Sequence, residues 1–476
     1  MPQPGREVAA EPSTEAGSFR DPDSRVFIRE GAVYRALSRE GWEEWQALAA
    51  TPLLGTLIRE GRLVATEPAE PDALPELARG TAAGALRHER VPFVSYPYEW
   101  PFSMLRDAAL LQLELGRRAL EADLTLKDAS SYNVQWRGAS PVFIDVGSFE
   151  RLRLGEPWAG YRQFCMLFLY PLLLQAYKDL PYHAWLRGSL DGIAPSDARA
   201  VMSARDRLRR GVLTHVVLHA RLEARYGDAG GREVKREIKR AGFGKELLDA
   251  NLRRLEKLVR RLEFKPGRTA WTEYGQTNTY TDEDASRKAE FVRAAAARRP
   301  GALVWDVGCN DGTYSRVAAE SASHVVAFDA DHATVDGLYR ALREEGREDI
   351  LPLVMSITDP SPDLGWRGLE RSSLERRGTP DLALCLAVVH HVVITGNVPL
   401  REFLAWLRSL DCGLVIEFPD REDPMVQRLL AGKPEAANPD YDRETFERAL
   451  GETFEVERSE RLASGTRTLY EARPRA

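Results

Sequence analysis

The sequence predicts an α/β protein in which residues 270–476 form a doubly wound parallel sheet, and three observations carry that expectation. Apolar runs at 303–305, 324–328, 349–355, 381–386 and 413–418 alternate with stretches of helical character, the pattern of βαβ units and parallel strands. The first run opens into DVGCNDG, a loop punctuated by small residues. The second run ends in an acid, Asp329.

Three more segments precede this one. Residues 1–25 are rich in Pro, Gly, Ser and Glu and have no apolar centre. They are expected to be disordered, and to be neither a signal peptide nor a membrane anchor. Residues 26–190 mix short strands with helices, an α+β domain. A long helix is expected at 102–120, FSMLRDAALLQLELGRRAL. The apolar run at 164–177, FCMLFLYPLLLQAY, contains Pro171 and is too short to span a bilayer, so a buried helix pair is expected there. The aromatic stretch SYPYEWPF at 95–102 either lines an acceptor pocket or packs a domain boundary.

Residues 191–265 form a basic helical connector. Between 205 and 265 there are eighteen Lys or Arg against nine Asp or Glu, an excess of nine positive charges. Leu252, Leu255, Leu258, Val259 and Leu262 share one helical face. The opposite face is either a solvated basic surface or a docking surface for an acidic partner, such as a carrier protein or a phosphorylated substrate. His215 and His219 lie one helical turn apart, as a metal pair would, but no third ligand is near in sequence, so no metal site is expected.

A length of 476 residues suggests two or three domains. Hydrophobic residues at 43% are enough for real cores. A net charge of -6 with 29% charged residues points to a soluble protein and gives no general reason to expect nucleic acid. The four cysteines, Cys165, Cys309, Cys385 and Cys412, form no Cys-x-x-Cys pair. A reducing, cytoplasmic setting is expected.

The loop Asp306-x-Gly308-x-Asn310-x-Gly312 turns into a helix near Tyr314. Small residues let the backbone approach a ligand closely. A carboxylate at the tip of the second strand can accept hydrogen bonds from both hydroxyls of a ribose. The loop opens on an acid and lacks the Gly-x-Gly-x-x-Gly spacing that a pyrophosphate demands. On these residues the chain from near Trp271 onward resembles the class I S-adenosylmethionine-dependent methyltransferases, which have a Rossmann-like fold. The resemblance implies S-adenosyl-L-methionine as cofactor. Asp306, Gly308 and Gly312 would line its methionine end, Asn310 of the same loop would also bind it, and Asp329 would hold its ribose. Ser356 and Ile357 would sit beside the adenine, and the backbone at Leu386 and Ala387 would pass the sulfonium. An acid is often found after the third strand; this sequence has Ser356-Ile357-Thr358-Asp359.

Methyl transfer needs an aligned nucleophile and the exclusion of water, and a hydroxyl acceptor is helped by a base. His390 and His391 follow the fourth strand at the edge where doubly wound sheets bind ligands. They are read either as bases or as residues that cap and pack the next helix. Glu417, at the end of the fifth strand, is a further candidate base, with Asp420 and Glu422 as rivals. Trp271, Tyr274 and Tyr280 either close a lid over the cofactor or pack a helix on the sheet.

A second signal lies at 127–147, KDASSYNVQWRGASPVFIDVG. Asp128-x-x-x-x-Asn133, then Asp145-Val-Gly147 beyond a short apolar strand, resembles the metal-holding loop of protein kinases and aminoglycoside kinases. The resemblance implies acceptor handling by Asp128 and magnesium binding by Asn133 and Asp145. No lysine precedes Lys127, so the usual strand-borne lysine is missing, and an arginine lacks its compact point charge. A degenerate kinase-like domain is expected. The whole reads as a methyltransferase acting on a small-molecule or carrier-bound acceptor, oxygen favoured over nitrogen, with the N-terminal domain recognising that acceptor. The alternatives are magnesium-ATP-dependent phosphotransfer through the N-terminal domain, or a non-catalytic scaffold using the basic helices. Neither membrane nor nucleic acid is expected as a partner.

Overall fold

The computed structural model describes residues 13–70, 72, 74, 78, 80, 82–228, 244–265, 281–433 and 440–475. Trp271, Tyr274 and Tyr280 lie outside the described residues. The chain opens with an antiparallel sheet of β1 (Ser13–Thr14), β2 (Ser24–Arg29), β3 (Ala32–Leu37), β4 (Thr66–Ala69) and β5 (Gly84–His88), in the order β1-β2-β3-β5-β4. The expected disorder of residues 1–25 is therefore corrected for 13–25. Ser13 and Thr14 pair with Ile28 and Phe27, and the Arg20 guanidinium forks onto Glu370. Polar composition misleads here because these residues add an edge strand and an ion pair, which need no apolar core.

Helices α1 (Arg39–Ala49) and α2 (Pro52–Arg59) follow β3. Ser38 caps α1 by accepting from the Gly41 N–H at 3.1 Å, and Trp45 and Leu48 turn inward. Helix α3 (Phe102–Glu121) has thirteen of its twenty residues buried, so it is a central helix covered on most sides rather than a surface helix with one apolar stripe. It leads to the paired strands β6 (Leu124–Leu126) and β9 (Phe149–Arg151), which enclose the hairpin of β7 (Val134–Arg137) and β8 (Ser140–Phe143). The expected helix pair at 164–177 is instead one helical run, in which a π turn at Cys165–Leu169 joins Tyr161–Phe164 to Tyr170–Lys178. The wider turn sits where Pro171 has no N–H to donate. In the basic connector, a π turn at Val212–Leu218 continues as α4 (His219–Asp228). Helix α5 (Lys245–Val259) buries Leu248, Leu252, Leu255, Leu258 and Val259 as it packs on α3.

The C-terminal sheet contains β10 (Leu303–Val307), β11 (His324–Asp329), β12 (Ile350–Val354), β13 (Leu382–Cys385), β14 (Gly413–Pro419), β15 (Phe454–Arg461) and β16 (Arg467–Pro474). Their order is β12-β11-β10-β13-β14-β16-β15. The first five are parallel, and β16 runs antiparallel between β14 and β15. This is a Rossmann-like doubly wound sheet. Its helices are α6 (Asp282–Ala297), α7 (Thr313–Ala319), α8 (His332–Glu344), α9 (Leu400–Ser409), α10 (Pro424–Leu430) and α11 (Arg443–Thr453). The strand order reverses between β10 and β13, which places the ligand crevice outside the carboxyl ends of those two strands.

One buried apolar cluster runs from Leu37 through α3 to Ala472, so both halves share a core. At the seam, the Ser103 N–H and hydroxyl donate to Asp336 at 2.7 and 3.2 Å, and the Tyr339 hydroxyl donates to Asp107 at 2.8 Å. The deepest tie is Glu99 with Arg377. The guanidinium donates through both terminal nitrogens, at 2.8 and 2.6 Å, and the two side chains are 1% and 2% exposed. Ser361 adds a hydroxyl to the same carboxylate at 2.5 Å. The stretch 95–102 thus packs an internal boundary, with Tyr96, Tyr98 and Trp100 buried. Removing one partner of such a pair strands a buried charge at a cost of about 3–5 kcal/mol. Arg377→Met is expected to lower the urea midpoint accordingly, and adding Glu99→Gln is expected to recover much of the loss. No helix among the described residues is long and apolar enough to cross a membrane.

Candidate active site

After β10 the chain turns sharply into α7. Gly308, Asn310 and Gly312 all have positive φ, at 75°, 49° and 74°. A Cβ on Gly308 would stand 2.5 Å from Val388 Cγ2, so both space and backbone call for glycine. Asn310 is one of the few side-chain-bearing types that enters this conformation readily. The loop is stitched to β11: the Gly308 N–H donates to the Phe328 carbonyl at 2.8 Å and the Asn310 N–H to Asp329 Oδ2 at 3.1 Å. Asp329 Oδ1 accepts from the Asp331 N–H at 3.0 Å. A carboxylate oxygen accepts two hydrogen bonds, so Asp329 keeps acceptor capacity beside the loop. Burial pushes its carboxyl up, against those backbone donors.

Asp306 is 2% exposed and accepts from the Ser315 hydroxyl at 2.5 Å. Burial pushes its carboxyl up to about 6, while the Ser315 hydroxyl pulls it down. A carboxyl whose folded pKa is raised is easier to keep protonated in the fold than in the open chain. Its ionisation therefore takes stability away as pH climbs from about 4 through about 6, by about 3 kcal/mol in full. Asp306→Asn is expected to remove that slope, so that urea melts of the variant gain on the wild type from pH 4 to pH 7. A wild-type slope that survives in the variant would show that Asp306 is not its source.

On the far side of Asp329, Ser356 and Ile357 follow β12 half-buried, with Ser356 Oγ 2.9 Å from Thr358 Oγ1. The later acid, Asp359, is taken by Arg187 of the helix His183–Gly188, which donates to both its oxygens at 2.8 and 2.9 Å. The N-terminal half thus reaches the same end of the sheet as the loop. Asp331 caps α8, and His332, half-buried, lies 5.4 Å ring to ring from Phe264 and 6.1 Å from His183. Sequence reasoning missed Arg187, His183, Asp331 and His332; only the Asp331 cap had a readable signal.

At the carboxyl end of β13, Leu386 is 5% exposed, and Ala387 has φ of 53°, a strained conformation for a residue with a side chain. His390 is fully buried and neither ring nitrogen has a hydrogen-bond partner among the described residues. Its ring lies 4.2 Å from that of His391. Burial pushes His390 well below the usual imidazole range and His391 down to about 4, so both are neutral at pH 7.

Glu417 sits in a buried network that the sequence did not announce. Its carboxylate meets Lys288 Nζ at 2.7 Å and Arg467 Nη1 at 3.0 Å. Arg467 also forks onto Asp423 at 2.7 and 3.0 Å. The four side chains are at most 4% exposed. Lys288 lies over the Tyr314 ring, 4.7 Å from its centroid. Burial pushes the Glu417 carboxyl up, but Lys288 and Arg467 outweigh it and hold it at about 2. A carboxylate held this acidic is a poor proton acceptor. The geometry makes Glu417 an anchor for α6, β14 and β16 rather than a base.

The 127–147 stretch forms a separate polar cluster. Arg35 of β3 donates to Asp145 Oδ1 at 2.7 Å, so a strand-borne cation is present although no lysine is. Asp145 also accepts from Ser148 at 2.6 Å, the Gly147 N–H at 3.3 Å and Asn133 at 3.3 Å. Burial pushes Asp145 up, but Arg35 and Ser148 bring it below the usual range; burial raises Asp128. Among the described residues no group of three or more His, Cys, Asp or Glu is placed to hold a metal ion.

No family model matches the chain. Solved structures similar to part of it include the N-methyltransferase NodS from Bradyrhizobium japonicum WM9, at 11% identity, covering 41% of this chain and 98% of that one with a TM-score of 0.31. Magnesium protoporphyrin IX methyltransferase (ChlM) from Synechocystis PCC 6803 with bound SAH shows 18% identity, 44% and 90% coverage and a TM-score of 0.30. A SAM dependent methyltransferase from Aquifex aeolicus shows 17% identity, 40% and 98% coverage and a TM-score of 0.28. The nodulation protein NoeA of Rhizobium meliloti (strain 1021) is 34% identical over 470 residues, which are 97% of this chain and 96% of that protein. With the likeness carried through both halves, the chain belongs to the family of the nodulation protein NoeA.

Proposed function

We propose that the chain is an S-adenosylmethionine-dependent methyltransferase and, by kinship with a nodulation protein, that its methylation serves nodulation. The observation that carries this reading is the left-handed loop 308–312 tied to the Asp329 carboxylate at the point where the strand order reverses. These residues fit the cofactor: Gly308 offers bare backbone, and Asp329 keeps acceptor capacity for two ribose hydroxyls. Bound, the cofactor supplies a methyl carbon activated by positive sulfur. Around it, Asp306 and the loop hold the methionine end, Ser356 and Ile357 flank the base, and the strained Ala387 brings backbone close to the reacting centre. His391, neutral at pH 7 and just beyond the carboxyl end of β13, is the base candidate for an acceptor hydroxyl, and its depressed pKa of about 4 makes it a weak one. In this reading the acceptor atom is oxygen, on a small molecule or a carrier-bound group, with the N-terminal half as the recognition surface. Ultraviolet crosslinking with methyl-labelled S-adenosylmethionine, followed by peptide mapping, tests the site. Label is expected in peptides covering 302–315 or 324–335; label confined to the N-terminal half would overturn the assignment.

A second reading, phosphotransfer in the N-terminal half, is favoured by one observation, the Arg35–Asp145 pair. Against it, Asp145 already accepts from four protein donors, and a magnesium ion would have to displace some of them.

A further inference from the structure

We propose that the basic connector carries an anion site: a cleft between the π turn Val212–Leu218 and helix α5 that binds the tetrahedral oxyanion of a phosphate or sulfate ester. The cleft has a volume of about 240 Å³ and is lined by Arg210, Thr214, His215, Arg254, Lys257 and Arg261. That is four cations, a hydroxyl and an imidazole, with no acid in the lining. A larger cavity of about 510 Å³ at the edge of the N-terminal sheet mixes Glu30, Glu67 and Glu89 with Arg87 and Arg90, so it selects no sign of charge.

The helix itself sorts its charges. Asp249 pairs with Arg117 and Arg253, and Glu256 with Arg117 and Arg260. Asp249 and Glu256 thus flank the face that packs on α3, which contributes Arg117. Arg254, Lys257 and Arg261 recur at i, i+3 and i+7 on another face and are exposed. None of them, nor Arg210, pairs with a carboxylate among the described residues. Gly211 sets how closely the two walls approach. Its φ is 82°, and a Cβ there would stand 2.5 Å from Leu258 Cδ2, so the turn's backbone touches α5 and brings Arg210 beside the helix cations. At the back, His215 Nδ1 lies 2.8 Å from the Tyr161 hydroxyl, which orients the ring. Guanidinium groups grip oxyanions through paired N–H donors. Like charges held together without counterions repel, and a bound anion relieves that repulsion. π turns are frequent at functional sites.

The test is calorimetric titration of phenyl phosphate and of phenyl sulfate into the full-length chain at fixed ionic strength, beside the double variant Arg254→Gln/Lys257→Gln. Saturable one-site binding of at least one ester is expected, weakened at least tenfold in the variant; the preferred ester identifies the natural group. Circular dichroism and S-adenosylhomocysteine binding are expected to be unchanged, since both residues are exposed and lie outside the methyl-donor site, so the outcome is independent of the methyltransferase reading. No saturable binding, or binding that the variant retains, would overturn the proposal. So would retention of an acidic protein without binding of either ester.

Discussion

Asp329→Ala is expected to weaken S-adenosylhomocysteine binding roughly a hundredfold or more. Hydrogen bonds to an ionised group are worth about 1.5–3 kcal/mol each. Two from ribose hydroxyls therefore amount to at least about 3 kcal/mol, or two decades in Kd. The alanine also releases the Asn310 and Asp331 N–H groups that Asp329 now accepts, which loosens the loop that faces the ligand. Asp329→Asn, which keeps the shape and one acceptor, is expected to fall between the two. Calorimetry reads the ranking directly. An alanine variant within threefold of the wild type would mean that Asp329 does not hold the ribose.

The largest expected stability effect is at Arg467. Arg467→Met takes from Asp423 its forked cation and from Glu417 one of its two cations, leaving Lys288 in place. One buried carboxylate then lacks its cation and the other keeps one of two, and the loss is expected within the range of about 3–5 kcal/mol for a broken buried pair. The same network predicts an acid limb. Glu417 is held at about 2 in the fold, below the ordinary glutamate value near 4.3. It stabilises fully above pH ~4.5, and that stability is lost as pH falls toward 2. Acid melts of Glu417→Gln should lack this limb, provided the variant folds at pH 7. The paired change Lys288→Met/Glu417→Gln, which removes one cation with one anion, guards that comparison. If Arg467→Met melts like the wild type, the network is not what binds α6, β14 and β16 together.

The five parallel strands were legible because strands buried on both faces read as unbroken apolar runs. The loop was legible because only certain residue types take left-handed backbone, and Gly308, Asn310 and Gly312 spell it out. What stayed hidden depends on distance along the chain. Glu99 and Arg377 are 278 residues apart, and each alone looks like surface charge. The same holds for Lys288, Glu417 and Arg467, none of which sits in a motif. The β15–β16 hairpin escaped because β15, FEVERSER, lies at the sheet edge, where strands carry charge to discourage pairing with other chains. Arg35 escaped because its partner Asp145 lies 110 residues further along the chain.

The most direct test of the central claim is a thermal-shift comparison of the full-length chain with S-adenosylhomocysteine and, separately, with magnesium-ATP. A ligand that binds only the folded state raises Tm by mass action, about 2.7 kcal/mol at a hundredfold excess over Kd. The account predicts a rise with S-adenosylhomocysteine that Asp329→Ala abolishes, and no rise with magnesium-ATP. A rise with magnesium-ATP alone, abolished by Asp145→Ala, would contradict it and move the chemistry to the N-terminal half.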